Sequence, residues 1–283
     1  MRIKNCFFDI NLSIFKSILY SFQKSNYNFL FTIENHLYSF NLGCSIGDLK
    51  MRFNISKIKF NGADINKNII LPRKMTLDLA EETGLHIGDG SMNFYSNKGL
   101  FQLRGHIKDD QEHYLKRIKE LYKKLYNLDI SIRYMKSTGV VGFQIWSDAL
   151  VNFKSKILGL PLGKKNDIEI PKAIINRVLF YSFMRGLFDT DGCLYIENKR
   201  GKPYPRLEIG TTSKPLCLQI VNRLKEYKLN VSYSEYKRKE LNWNNLYTIA
   251  INGFSNINKW FKQIGSNNPK HIRKFKQLRQ DKR

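Results

Sequence analysis

A chain of 283 residues with 42% hydrophobic content is long and apolar enough to bury a substantial core, which excludes disorder as a description of the whole. Its 48 Lys and Arg against 24 Asp and Glu leave a formal charge of +24; such an excess repels itself unless a polyanion answers it, and nucleic acid is the expected partner. Cys6, Cys44, Cys193 and Cys217 form no C-x-x-C pair and the five histidines lack ligand spacing, so neither a zinc site nor a disulfide framework is indicated and a reducing, intracellular location is expected.

From the N-terminus, Ile10, Ile14, Ile18 and Phe22 predict an amphipathic helix, while Asp9, Asn11 and Lys16 interrupt the apolar runs and speak against a signal peptide or membrane span. Residues 1–70 have no twin later in the chain and are set apart as an extension of unassigned role. Next comes TLDLAEETGLHIGDG, Thr76 to Gly90, which is matched 102 residues later by VLFYSFMRGLFDTDG, Val178 to Gly192. Ala80, Gly84 and Gly88 fall on Ser182, Gly186 and Thr190, and Asp89-Gly90 falls on Asp191-Gly192. Average composition gives the spacing G-x-x-x-x-D-G about once in 4,000 positions, so two copies point to duplication.

The flanks repeat too. Strands are predicted over 100–104, 132–135 and 140–146, with a helix starting near Asp109 or Asp110. Their counterparts are strands over 206–211, 231–236 and 246–251 and a helix starting near Lys214. A Pro-, Gly- and charge-rich stretch, Leu160 to Ile170, joins the halves, and Pro171 suits the first turn of the second motif helix. The expected fold is therefore α+β: two pseudo-symmetric halves, 71–169 and 170–283, each helix, hairpin, helix, hairpin, helix, behind the extension. The basic tail from His271 to Arg283 is expected as a frayed helix or a phosphate-contacting arm.

A small residue at every fourth position gives each motif helix a smooth stripe, on which the other helix can approach with its backbone unusually close. Glycine inside a helix costs about 1 kcal/mol relative to alanine, and close packing supplies the reason for Gly84 and Gly186. Asp89 and Asp191 stand at helix C-termini, where the dipole disfavours a carboxylate, and packing the helices side by side adds like-charge repulsion. A divalent cation relieves both penalties, and oxygen ligands with positions left for water and phosphate suit magnesium, with manganese an alternative. Gly90 and Gly192 are expected to turn the chain out of each helix in the left-handed conformation. Asp189 is read as a structural residue of the helix end.

TGLHIGDG and MRGLFDTDG resemble the two signature helices of LAGLIDADG homing endonucleases, and the likeness runs from about residue 71 to the C-terminus. Ile87 in place of the second copy's Asp189, and Glu82 at a usually apolar position, depart from the pattern. The resemblance implies two αββαββα halves whose antiparallel sheets form a saddle over double-stranded DNA, with metal held by Asp89, Asp191 and the backbone of Gly88 and Thr190. It further implies, by position, catalytic assistance from Lys164 or Lys165 and Lys270, and from His106 and Thr211. Alternation along the strands turns Phe101, Leu103, Leu207 and Ile209 to the core and leaves Gln102, Arg104, Arg133, Gln144 and Arg206 as candidate readers of base edges.

The expected activity is site-specific double-strand cleavage by a monomer, without membrane association. An RNA maturase acting on a host intron and a non-catalytic DNA-binding regulator are the alternatives on the same scaffold. An intein frame is disfavoured, since the chain neither starts with a nucleophile nor ends in His-Asn.

Overall fold

The computed structural model describes residues 29–33, 36–40, 52–238 and 243–280, in two units, Met1–Lys50 and Met51–Arg283. In the first unit β1 (Phe29–Ile33) and β2 (His36–Phe40) pair antiparallel. The helix expected over residues 10–22 lies outside the described residues.

The second unit opens with a segment tied to its own far end: the Phe53 N–H donates to the Arg73 carbonyl at 2.7 Å. A short helix, α1 (Gly62–Asn66), follows, with Asn61 and Asp64 capping each other's backbone. Ile58, Ile69 and Leu71 are buried in the common core, so this body starts near residue 52, within the stretch set apart as 1–70.

Its first half is α2 (Leu77–Asp89), β3 (Gly90–Tyr95), β4 (Lys98–His106), α3 (Ile107–His113), a π-helical turn at Tyr114–Ile118, α4 (Lys119–Tyr126), β5 (Arg133–Met135), β6 (Val140–Trp146) and α5 (Asp148–Asn152), with a second π turn at Phe153–Ile157. The second half is α6 (Arg177–Asp191), β7 (Gly192–Lys199), β8 (Lys202–Thr211), α7 (Lys214–Glu226), β9 (Ser232–Tyr236), β10 (Leu246–Asn252) and α8 (Phe254–Gln263), and α9 (Pro269–Gln280) follows it. Each half forms one four-stranded antiparallel sheet, in the orders β3-β4-β6-β5 and β7-β8-β10-β9. Period-two patterning does what it predicts: Phe101, Leu103, Leu207 and Ile209 are fully buried, and the residues between them face outward. No described helix is long and apolar enough to cross a membrane.

Three local expectations are corrected. Helix α6 starts at Arg177, where the Asn176 side chain accepts from the Leu179 N–H at 2.9 Å, and Pro171 instead accepts from Ile174 in a turn ahead of it. Gly90 and Gly192 have φ of −81° and −90°, extended rather than left-handed, because each strand leaves its helix without a reversing turn. Glycine is needed there for space: a side chain on Gly90 would lie 2.6 Å from the His86 carbonyl oxygen, and one on Gly192 would collide with the Phe188 ring and carbonyl. The basic tail is a docked helix as far as Gln280, with Leu278 buried, His271 against the Phe188 ring at 4.3 Å and Phe275 stacked on Phe261 at 3.9 Å.

The two motif helices pack along their small-residue stripes. A methyl on Gly84 would collide with the Phe183 carbonyl and sit 2.7 Å from Leu187 N, and one on Gly186 would collide with the Glu81 carbonyl and sit 2.9 Å from Leu85 N. Ser182 Oγ donates across the interface to the Leu77 carbonyl at 2.8 Å. Because the obstruction is backbone, the helices themselves must move. Gly84→Ala is expected to cost about 3 kcal/mol despite alanine's better helix propensity, as measured by urea unfolding.

Candidate active site at the paired helix ends

Because α2 and α6 lie alongside each other, their last turns bring the two motif acids together. A side chain on Gly88 would reach within 3.3 Å of Asp191 Cγ. Loss of water raises the Asp89 carboxyl from 3.8 to about 8, with Asp191 and Asp110 adding repulsion and Lys270 and Lys165 opposing it. Asp191 is raised to about 6, again by loss of water, and opposed by Lys165 and Lys270. Its side chain remains accessible from outside, so protein surrounds this carboxylate without covering it. Between them the two acids resist carrying two negative charges at neutral pH.

Two lysines partly answer that charge, each held differently. Lys165 Nζ donates to the carbonyls of Ile87, Gly88 and Gly90 at 2.6, 2.7 and 2.8 Å and to that of His86 at 3.2 Å, so it satisfies the open carbonyl end of α2. Burial lowers its pKa, against the pull of Asp191 and Asp89. Lys164 points to solvent, so of the two adjacent lysines it is Lys165 that belongs to the site. Lys270 Nζ instead donates to Asp110 Oδ1 at 2.7 Å.

Asp110 escaped the sequence reading as a site residue. It is buried near the start of α3 and accepts from the His106 N–H at 2.8 Å and from Asn268 Nδ2 at 2.8 Å, besides Lys270. Burial pushes its carboxyl up, but the Lys270, His106 and Asn268 bonds outweigh that and hold it below the usual range. The signal available beforehand was the acidic pair Asp109-Asp110 at the predicted helix start, where the counterpart helix near Lys214 starts without an acid. Asn268 also donates to the Asp189 carbonyl at 3.0 Å, so an asparagine meets the end of α6 where a lysine meets that of α2.

Most of the remaining candidates have local partners. His106 is exposed at the end of β4, with Nδ1 3.0 Å from Asp109 Oδ2. Thr211, at the end of β8, accepts from the Ser213 N–H at 3.1 Å, and Thr190 Oγ1 donates back to the Gly186 and Leu187 carbonyls. The Gly88 carbonyl is engaged by Lys165. Asp189 is buried and accepts from Ser266 Oγ and the Asn267 N–H, which ties the end of α6 to the segment leading into α9. On the outer face of the first sheet Gln102 Nε2 donates to Gln144 Oε1 at 3.2 Å, and the exposed Arg104 and Arg133 both stand opposite Gly142. Arg206, on the second sheet, is held by Glu197 at 2.9 Å and Glu208 at 3.0 Å.

With this geometry in place, residues 181–265 match the family model described as the LAGLIDADG-like domain. Glutamine–fructose-6-phosphate aminotransferase of Methanocaldococcus jannaschii is 29% identical over 196 residues, which cover 69% of this chain and 17% of that protein. The replication factor C small subunit of the same organism is 28% identical over 228 residues, covering 79% and 11%. The chain thus spans less than a fifth of the length of either relative. Among solved structures, the homing endonuclease I-DmoI in complex with DNA and Ca has a TM-score of 0.48 at 16% identity, covering 71% of this chain and 97% of that one. The LAGLIDADG homing endonuclease I-GzeII in complex with its DNA target has a TM-score of 0.48 at 12% identity, covering 72% and 88%.

The donor set of the paired helix ends fits a hard divalent cation. Two carboxylates held together against their mutual repulsion, beside accessible solvent, supply oxygen ligands and leave room for water and phosphate, as magnesium requires. Among the described residues no group of three or more His, Cys, Asp or Glu is arranged to enclose a metal, so such an ion would take only part of its shell from side chains. Lys165→Met removes the ammonium from the carbonyls of Ile87, Gly88 and Gly90, while His86 keeps the Gly90 N–H as donor, and it removes a positive charge beside both acids. It is expected to lower stability by about 1–3 kcal/mol, read by urea unfolding.

Proposed function

We propose that the chain is a divalent-metal-dependent DNA endonuclease that cuts both strands of a specific duplex site, one motif acid serving each strand. The observation that carries this reading is the pairing of Asp89 and Asp191 at two helix ends, with Lys165 and Lys270 acting on both carboxylates. A bound magnesium or manganese ion would activate water and neutralise charge on the scissile phosphate. Asp89 and Asp191 would hold it, and the two lysines would attract the phosphate and stabilise the negative charge that grows on it. The formal charge of +24 suits a polyanion, and the outer faces of two sheets, each starting one residue after its acid, offer surfaces for it. The chain matches only a fraction of two relatives whose names share no activity, which supports reading it as a module that does not carry theirs. It would act as a monomer inside the cell, since one chain supplies both acids.

The test is incubation of the purified chain with a library of duplexes, including the locus without its coding insert, in magnesium and in EDTA. New ends on both strands at one position, formed only with the metal, are expected. Bound DNA left intact in magnesium and in manganese would refute the proposal; tight binding of a host intron RNA in its place would assign the chain to RNA.

A further inference from the structure

The two sheets are alike in topology and unlike in charge. The first carries Lys98, Arg104 and Arg133 on its strands and no acidic residue. The second carries Lys199, Lys202 and Arg206 against Glu197, Glu208 and Glu235. Duplication supplies no reason for this difference.

The arrangement of those charges deepens the contrast. Arg104 and Arg133 flank Gly142, so no side chain stands between them, and neither has an ion pair among the described residues. The cross-strand pair of Gln102 and Gln144 lies two residues along β4 and β6. On the second sheet both terminal nitrogens of Arg206 are taken, one by Glu197 and the other by Glu208. Tyr195 also bonds Glu208, and Arg206 Nε is buried. An arginine reads guanine with two free N–H groups on one edge. Arg206 would have to do so with a carboxylate on each terminal nitrogen, and would bring both carboxylates towards the phosphates. Among the described residues Arg104 and Arg133 carry no such partners.

We infer a division of labour between the halves: the first sheet reads base sequence, and the second holds the duplex with little base discrimination because Glu197, Glu208 and Tyr195 lock its central arginine. This rests on the DNA-endonuclease reading and goes beyond it by assigning specificity to one half.

The test is selection of bound sequences from a randomised duplex library in EDTA, so that no cutting is involved. The two half-sites are assigned with a hydroxyl-radical reagent tethered to Cys193, which is exposed on β7, in a chain with Cys6 and Cys44 replaced by serine; Cys217 is buried. A wrong base pair under the first sheet is expected to weaken binding about 10-fold or more, and one under the second less than about 3-fold. Glu197→Gln with Glu208→Gln should sharpen discrimination under the second sheet by roughly 10-fold and steepen the salt dependence of binding by about one ion. Should that pair fail to fold, Arg206→Ala serves instead, with an expected change in discrimination below about 3-fold. Equal discrimination under both sheets, or a 10-fold loss on Arg206→Ala, overturns the inference and leaves the endonuclease reading standing. Absence of any DNA binding refutes both.

Discussion

Replacing either motif acid with asparagine should reduce double-strand cutting at least about 1,000-fold while leaving the fold intact, because each acid supplies a carboxylate that no neighbour can replace. The same substitution should make the metal-free protein more stable at alkaline pH. In the folded chain Asp89 is raised from 3.8 to about 8, so the folded state holds a proton that the unfolded state has released. The stability linked to that proton is fully present below about pH 4 and is lost as pH rises to about 8. An asparagine amide in its place carries no charge at any pH and escapes the loss. At pH 8 and without metal, Asp89→Asn should therefore exceed the wild type by on the order of 1–2 kcal/mol, once screening at this partly open site is allowed for, and the gap should close towards pH 4. Asp191 is raised only to about 6 and is the more accessible, so its asparagine variant should show a smaller gap that is complete by a lower pH. Denaturant titrations at three pH values, with and without magnesium, check both statements; a wild type more stable than Asp89→Asn at pH 8 without metal would contradict them.

Lys154→Met should be the most destabilising single change outside the helix interface. Lys154 and Glu82 are both fully buried, and Lys154 Nζ donates to the two carboxylate oxygens at 2.5 and 2.6 Å. Tyr122 and Tyr126 donate to the same carboxylate at 2.5 and 3.0 Å, and the ammonium lies 4.9 Å from the Phe101 ring centre. Removing the cation leaves a carboxylate in the core with only two neutral donors, which costs about 3–5 kcal/mol. Among the described residues the second half has no such network, for Met184 stands where Glu82 stands in the first and is fully buried. Converting the set to apolar residues, Glu82→Met and Lys154→Met with both tyrosines changed to phenylalanine, should bring stability back to within about 2 kcal/mol of the wild type. Urea unfolding decides it: a loss below about 1 kcal/mol for Lys154→Met would show that the pair contributes little.

What could be read from the sequence follows from the range of each interaction. The duplicated helices announced themselves because close backbone approach demands small residues at fixed spacing, and the buried sheet faces because alternation is a property of neighbours. Asp89 and Asp191 followed from their place in the repeat. Asp110 did not, since its partners Asn268 and Lys270 lie 158 and 160 residues away and no periodicity links them. Glu82 showed only as a departure from an apolar position, because its cation sits on a π turn that no local pattern marks. Gly90 and Gly192 were found for the wrong reason: glycine between a helix and a strand suggests a left-handed turn, while the cause here is lack of space against the preceding helical turn.

The central claim is that Asp89 and Asp191 together form a cation site, and titration of the purified chain with manganese, followed by electron paramagnetic resonance, tests it most directly. The account predicts that the wild type takes up manganese at neutral pH, that Asp89→Asn with Asp191→Asn does not, and that magnesium competes for the site. Equal uptake by the wild type and the double variant would contradict it.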